Sequence, residues 1–160
     1  MQIRPARISD HDAIWTILEP ILRAGETYTQ PQDITRDDAL AYWFRPDHEV
    51  FLAEDGGAVL GTYFLCANQA GGGSHVANCG YMTSTSAQGR GVGRAMLEHS
   101  LDRARQRRFR AMQFNFVVST NERAVKTWQA YGFDVVGRLP SAFRHPVRGF
   151  VDALVMYKQL

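Results

Sequence analysis

The stretch that constrains this chain most is Tyr81-Met82-Thr83-Ser84-Thr85-Ser86-Ala87-Gln88-Gly89-Arg90-Gly91-Val92-Gly93-Arg94-Ala95. There a strand-like run meets three alternate glycines and then a helical pattern. Without a Cβ, successive backbone N–H groups can turn toward one point. A helix that starts there adds unpaired donors and partial positive charge, so the stretch predicts an anion site. Arg90 and Arg94 add formal charge. Two common phosphate loops do not fit. A Walker loop needs Gly-x-x-x-x-Gly-Lys-Ser/Thr, and no lysine stands here. A dinucleotide loop needs Gly-x-Gly-x-x-Gly, but Gly89-x-Gly91 runs on to Arg94 and Gly91-x-Gly93 to Met96.

The spacing that does fit, Gln88-x-x-Gly91-x-Gly93, resembles the pyrophosphate loop Gln/Arg-x-x-Gly-x-Gly/Ala of the GNAT superfamily of acetyl-CoA-dependent N-acetyltransferases. Downstream, Asn121-x-x-Ala124, with Tyr131-Gly132-Phe133 closing the same helix, resembles that family's second coenzyme A element. The resemblance covers nearly the whole chain. It implies a mixed α/β fold of the GNAT-like acyl-CoA N-acyltransferase kind, its central mixed sheet splayed between the fourth and fifth strands. Acetyl-CoA, the cosubstrate, would lie in that splay. By the same resemblance, backbone groups of Tyr81, Met82 and Thr83 pair with the pantetheine arm. The amides of Gln88, Gly89, Arg90, Gly91, Val92, Gly93 and Arg94 take the pyrophosphate, and Asn121 and Lys126 meet the pantetheine or the phosphates. For Lys126 a plain surface lysine is an equal alternative.

Length and composition fit this frame. The 160 residues are enough to bury a core without disulfides or metals, and residues 1–160 are expected to form a single N-acetyltransferase domain. Apolar residues make up 45% and charged residues 21%, the balance of a globular protein. No apolar run approaches the ~18 residues of a membrane span, and no signal peptide is evident. Cys66 and Cys79 lack metal-ligand or CxxC spacing and read as buried free thiols, so a cytoplasmic setting is expected. A net charge of +2 argues against a nucleic-acid partner. The cluster Arg103, Arg105, Arg107, Arg108 and Arg110 closes a helix, where cations complement the dipole.

In chain order, Gln2 to Arg7 reads as a strand, with Ser9 and Asp12 as a capping box for a helix that Pro20 should kink or end. Residues 24–33 read as a loop, and Thr35 opens a second helix ending before Pro46. In the family this segment walls the acceptor pocket, which brings Glu26, Tyr28, Tyr42 and Trp43 forward, with packing as the alternative for each aromatic. Strands follow at Glu49–Ala53, Ala58–Asn68 and Ser74–Thr83, then a helix from Gly91 to about Arg108 and a buried strand at Ala111–Val118. Ser119 and Glu122 suggest a capping box for the Asn121–Tyr131 helix. Two last strands, Phe133–Gly137 and Phe150–Lys158, flank a loop. The order β-α-α-β-β-β-α-β-α-β-β suits one layered mixed sheet.

The chemistry implied is direct attack of a neutral amine on the thioester, with a backbone N–H near Met82 on the oxyanion and no metal. Many family members carry a tyrosine at the position of Trp128 that protonates the departing thiolate, and an indole cannot do this. Tyr131 stands nearby, where packing is expected. The strand Ser74–Tyr81 offers no carboxylate, so water or Glu26 would take the amine's proton. Asn78 and Asn115 are the candidate catalytic and acceptor-binding residues, with Tyr28 also on the acceptor. Each asparagine sits in an apolar strand beside the splay, where an amide without a partner costs roughly 1–3 kcal/mol. Satisfying local backbone groups where the ladder opens is the alternative. The expected acceptor is a small-molecule amine, an amino acid or a toxic analogue. Residues 25–31 (GETYTQP) and Asn78-Cys79-Gly80-Tyr81 resemble the branch that acetylates proline analogues such as azetidine-2-carboxylate. The alternatives are acetylation of a protein N-terminus or lysine, and a non-catalytic acyl-CoA-binding module. Family members are often homodimers, and the two last strands could pair.

Overall fold

A computed structural model describes all 160 residues. Seven strands form one sheet: β1 (Gln2–Pro5), β2 (Glu49–Asp55), β3 (Ala58–Ala67), β4 (Val76–Thr83), β5 (Ala111–Val118), β6 (Asp134–His145) and β7 (Gly149–Gln159). Their spatial order is β1-β2-β3-β4-β5-β7-β6. Four helices complete the chain: α1 (His11–Ala24), α2 (Arg36–Trp43), α3 (Val92–Gln106) and α4 (Glu122–Ala130). The element order is the one expected. No helix is long and apolar enough to cross a membrane.

Every neighbouring pair is antiparallel except β4 and β5, which α3 connects as a crossover. That parallel pair has only two register partners, Val76↔Ala111 and Ala77↔Met112, and beyond them the strands part. Period-2 alternation loads both faces of the sheet. Tyr63, Leu65, Ala77 and Cys79 pack under α3 and α4 in a core of 19 buried residues. Leu52, Phe64 and Met82 pack on the other face with α1 and α2 in a second core of 11. The cleft therefore opens between two separately stabilised layers.

Local details differ from the sequence reading. Pro20 neither ends nor replaces α1, which continues to Ala24 and closes on Gly25 at φ 65°. Proline removes a single N–H, and Ile14, Ile17, Leu18 and Leu22, all buried, hold the helix on both sides of it. Ser9 caps nothing. Asp10 accepts the Arg7 amide at 2.7 Å and pairs with Arg4 at 2.9 Å, which holds its carboxyl below the usual range. The Ser119–Glu122 box is also missing, because Asn121 occupies the N-cap of α4 without a side-chain cap bond. The segment read as a loop after Gly137 is strand, since β6 runs on to His145 with two register shifts around Gly137 and Pro140. An exposed edge strand needs no apolar alternation, and bulges absorb its proline.

Candidate active site

The parted edges of β4 and β5 frame the site. Along β4, the Val76 carbonyl accepts from Asn68 and the Ser84 amide donates to Leu60, so even-numbered backbone groups face β3. The Tyr81 carbonyl instead accepts from the Tyr28 hydroxyl at 2.7 Å, so odd-numbered groups face the split. Strand alternation then directs the amides of Tyr81 and Thr83 into the cleft and engages Met82 with Thr62 of β3. The Met82 backbone, expected on the pantetheine arm, therefore pairs with β3, the cleft-facing amides beside it are those of Tyr81 and Thr83, and the Met82 side chain is buried.

At the end of β4 the glycine loop turns into α3. Gly89 and Gly91 sit at φ 80° and 78°, a region glycine enters without cost, and Gly91 is the N-cap. The amides of Gly91, Val92, Gly93 and Arg94 make no backbone hydrogen bond; the first one closed is Ala95 to Gly91. A Cβ built on Gly89 or Gly91 would meet nothing within 4 Å. Free donors, a helix N-terminus and open space fit a pyrophosphate. Arg90 does not fit the expectation for the loop, since its guanidinium turns away to Asp55 at 3.2 Å and its amide donates to the Ala87 carbonyl at 3.2 Å. The Val92 side chain is buried, so only its backbone faces the loop.

A cavity of about 600 Å³ runs through the split. One end is lined by Thr83, Gln88, Asn121, Ala124 and Trp128; the other by Pro20, Ile21, Glu26, Tyr28, Tyr42 and Phe64. Asn78, Tyr81, Met82, Phe114 and Asn115 lie between. Gly80 keeps this wall open, since a Cβ there would fall 2.5 Å from the Phe64 ring. Lys126 is not part of the cavity. It borders a separate polar hollow with Arg123 and Arg148, and Asn121 lines both.

The two asparagines are held differently from the buried-amide picture. Asn115 is exposed and Asn78 half-buried. Both donate through Nδ2 to Oδ1 of Asn68, at 2.6 and 3.1 Å, and Gln113 donates to Asn115 Oδ1 at 2.9 Å. Asn115 lies in a β-bulge, where the register with β7 slips between Phe114 and Val117; bulges re-aim side chains beside active sites. The alternative, in which local backbone groups satisfy these amides, is not what the structure shows, since their partners are side chains. Asn68 was not singled out from the sequence, because as the last residue of the strand read at Ala58–Asn68 it carries no local signal of its own.

Of the other candidates, Tyr28, Tyr42, Glu26 and Trp128 line the cavity, whereas Trp43 is core, fully buried with its indole donating to Thr62 at 3.0 Å. Trp128 packs on Tyr81 and Phe114, with ring centroids 5.3 and 5.1 Å apart, and its indole makes no hydrogen bond. Tyr131 lies outside the lining and donates to Glu98. The Tyr28 hydroxyl, engaged with Tyr81, is pushed well up by burial. Burial likewise raises the Cys79 thiol to about 12 and Cys66 to about 11, so both are protonated thiols at neutral pH.

Comparison with known proteins supports the same reading. Residues 12–133 match the family described as Acetyltransferase (GNAT) family. N-acetyltransferase aca1 of Schizosaccharomyces pombe is 26% identical over 151 residues, spanning 84% of this chain and 72% of that protein. A GCN5-related N-acetyltransferase from Kribbella flavida superimposes with a TM-score of 0.95 at 42% identity, covering 99% of this chain and 97% of that one. A phosphinothricin acetyltransferase from Sinorhizobium meliloti, solved in complex with acetyl-CoA, has the same fold, with a TM-score of 0.87 at 20% identity and coverage of 99% and 88%.

Proposed function

The chain belongs to the acetyltransferase (GNAT) family and is an acetyl-CoA-dependent N-acetyltransferase, and from that premise we propose that residues 1–160 act as one domain that acetylates the amine of a small molecule, an amino acid or an amino-acid analogue. The observation that carries this reading is the cavity. On the acceptor side it is walled by Pro20, Ile21, Tyr28, Tyr42 and Phe64, and the bond from Tyr28 to the Tyr81 carbonyl closes α1's loop onto β4. An extended peptide would need that edge free for its own backbone bonds. Among the polar groups inside are the amides of Asn78 and Asn115, which can both donate to a carboxylate and accept from an amine. Residues 25–31 and Asn78–Tyr81 extend the proposal to proline analogues of the azetidine-2-carboxylate type.

In the reaction the loop amides of Gln88, Gly89 and Gly91 to Arg94, with the cleft-facing amides of Tyr81 and Thr83 on β4, bind acetyl-CoA. The amine, neutral and oriented by the two asparagines, attacks the thioester carbonyl. The developing oxyanion meets a split-facing amide of Tyr81 or Thr83. Holding both reactants in one cavity contributes several kcal/mol, the order expected of oriented encounter (~7–11 at most). Coenzyme A leaves as a thiolate of pKa about 8.5, a leaving group that does not require an acid at the position of Trp128. Water, or Glu26 at the rim, takes the amine's proton. The exposed edge of β6, with Val135, Val136 and Leu139 at its surface, supports a homodimer.

The test is acetyl-CoA turnover, read as free thiol, against amino acids, their analogues, simple amines and short peptides. Turnover with small amines and none with peptides is the expected result. Turnover with peptides alone would overturn the acceptor class.

A further inference from the structure

We propose that Asn68 is a positioning residue for the acceptor, acting through Asn78 and Asn115; this rests on the reading of the cavity as the acceptor site. Asn68 stands just past the end of β3, its amide tied to the Val76 carbonyl at 2.8 Å. The last backbone pair between β4 and β5 is Ala77↔Met112. Immediately beyond it, where no backbone bond joins the strands, the single oxygen of Asn68 receives an N–H from Asn78 on β4 and another from Asn115 on β5. Gln113 extends the chain of amides by donating to Asn115. Four side chains thus bridge the mouth of the split that the backbone leaves open.

The bridge has a consequence for orientation. With both NH₂ groups turned to Asn68, the carbonyl oxygens of Asn78 and Asn115 point the other way. That of Asn115 is shared with Gln113, while that of Asn78 has no protein partner. No buried side-chain polar atom lacks a hydrogen bond, so the Asn78 oxygen is open, and Asn78 lines the cavity. An open acceptor atom there suits an N–H of the incoming amine. Asn68 itself does not line the cavity and touches no reacting atom. It sets which end of the amide is presented and how far apart the two strands stand.

Two substitutions separate this role from mere packing. Asn68→Leu removes the shared oxygen, and Asn68→Asp keeps it for both donors. The Leu variant should raise the acceptor's KM or lower kcat about tenfold, with acetyl-CoA affinity by calorimetry unchanged. The Asp variant should stay within about threefold of the parent enzyme. Side-chain amide signals of Asn78 and Asn115 in ¹⁵N spectra provide an arm that needs no acceptor: both should shift in the Leu variant and keep near-parent positions, displaced only by the new charge, in the Asp variant. Parent kinetics in the Leu variant, equal impairment in both variants, or unmoved amide signals in the Leu variant would overturn the proposal. If the parent enzyme turns over no small amine, the acceptor reading fails, and the role given to Asn68 falls with it even where the amide signals behave as expected.

Discussion

The two ends of the cleft are made of different material. The acetyl-CoA end consists of backbone: loop amides without partners, a helix N-terminus and the cleft-facing amides of Tyr81 and Thr83 on β4. The acceptor end consists of side chains drawn from α1 and its loop, α2, β3, β4 and β5, and among its polar groups are two amides fixed by a residue outside the cavity. A backbone site tolerates almost any side chain that does not block it, so it serves one common ligand. A side-chain site changes with each residue, so it can select an acceptor. The predictions below probe that division, beginning with the greatest expected effect.

Gly93→Leu should abolish acetyl-CoA binding. Gly93 has an ordinary helical backbone, and a Cβ there would meet only Thr83 Oγ1 at 3.8 Å, so the fold accepts the change. A longer side chain would fill the space over the free amides. Loss of two charge-assisted hydrogen bonds at about 1.5–3 kcal/mol each predicts a hundredfold or greater drop in calorimetric affinity. Gly93→Ala should bind nearly as the parent does. Gly91 is a poorer test, because its φ of 78° adds backbone strain to any substitution. Unchanged affinity in Gly93→Leu would place the pyrophosphate elsewhere.

Asn78→Ala and Asn115→Ala should act on the other end. Each is expected to reduce kcat/KM for the acceptor about ten- to hundredfold, the scale of one or two lost hydrogen bonds in a desolvated site. Acetyl-CoA affinity should not move. If both variants keep parent kinetics with a true acceptor, the amides are only structural and the division between the two ends breaks down.

The same division decides how much could be read from the sequence. A backbone site needs glycines at fixed spacing before a helix, and Gln88-x-x-Gly91-x-Gly93 carries that signature within one short segment. Hydrophobic periodicity and turn residues likewise exposed the element order. The hub at Asn68 left no local trace, because its partners lie 10 and 47 residues away and meet only across the sheet. Pro20 inside α1 and the continuation of β6 past Pro140 were hidden for a related reason. Local rules mark these prolines as breaks, and tertiary burial of Leu18 and Leu22, or pairing with β7, overrides the local cost.

Trp128 lines the acetyl-CoA end with a side chain rather than backbone, and its replacement sharpens the comparison. The ring is packed on Tyr81 and Phe114 and its N–H bonds to nothing. Trp128→Phe should therefore retain turnover within about tenfold, the cost of a smaller ring and not of a lost acid. A thousandfold loss in a folded variant would give the indole a chemical role.

The smallest effect is expected from the one charged group in the cavity, and it concerns protons. Tyr28, Tyr42 and Tyr81 are all raised by burial, and Cys79 is pushed up to about 12, so none of them changes charge between pH 6 and 9. No histidine, lysine or arginine lines the cavity. His48, on the far side of Phe64, donates to the Trp43 carbonyl, is lowered by burial and does not line the cavity. Titration in that window is then left to the acceptor, whose amine must lose a proton before it can attack. The rate at subsaturating acceptor should rise with pH and level off at the acceptor's own amine pKa, and it should follow that pKa when a less basic acceptor is used. Glu26→Gln should change the rate by no more than about threefold and leave the inflection in place, because a positioned general base would be worth about 10²–10⁴. An inflection that stays fixed when the acceptor is changed, or a hundredfold loss in Glu26→Gln, would show that the side-chain end of the cleft supplies a base after all.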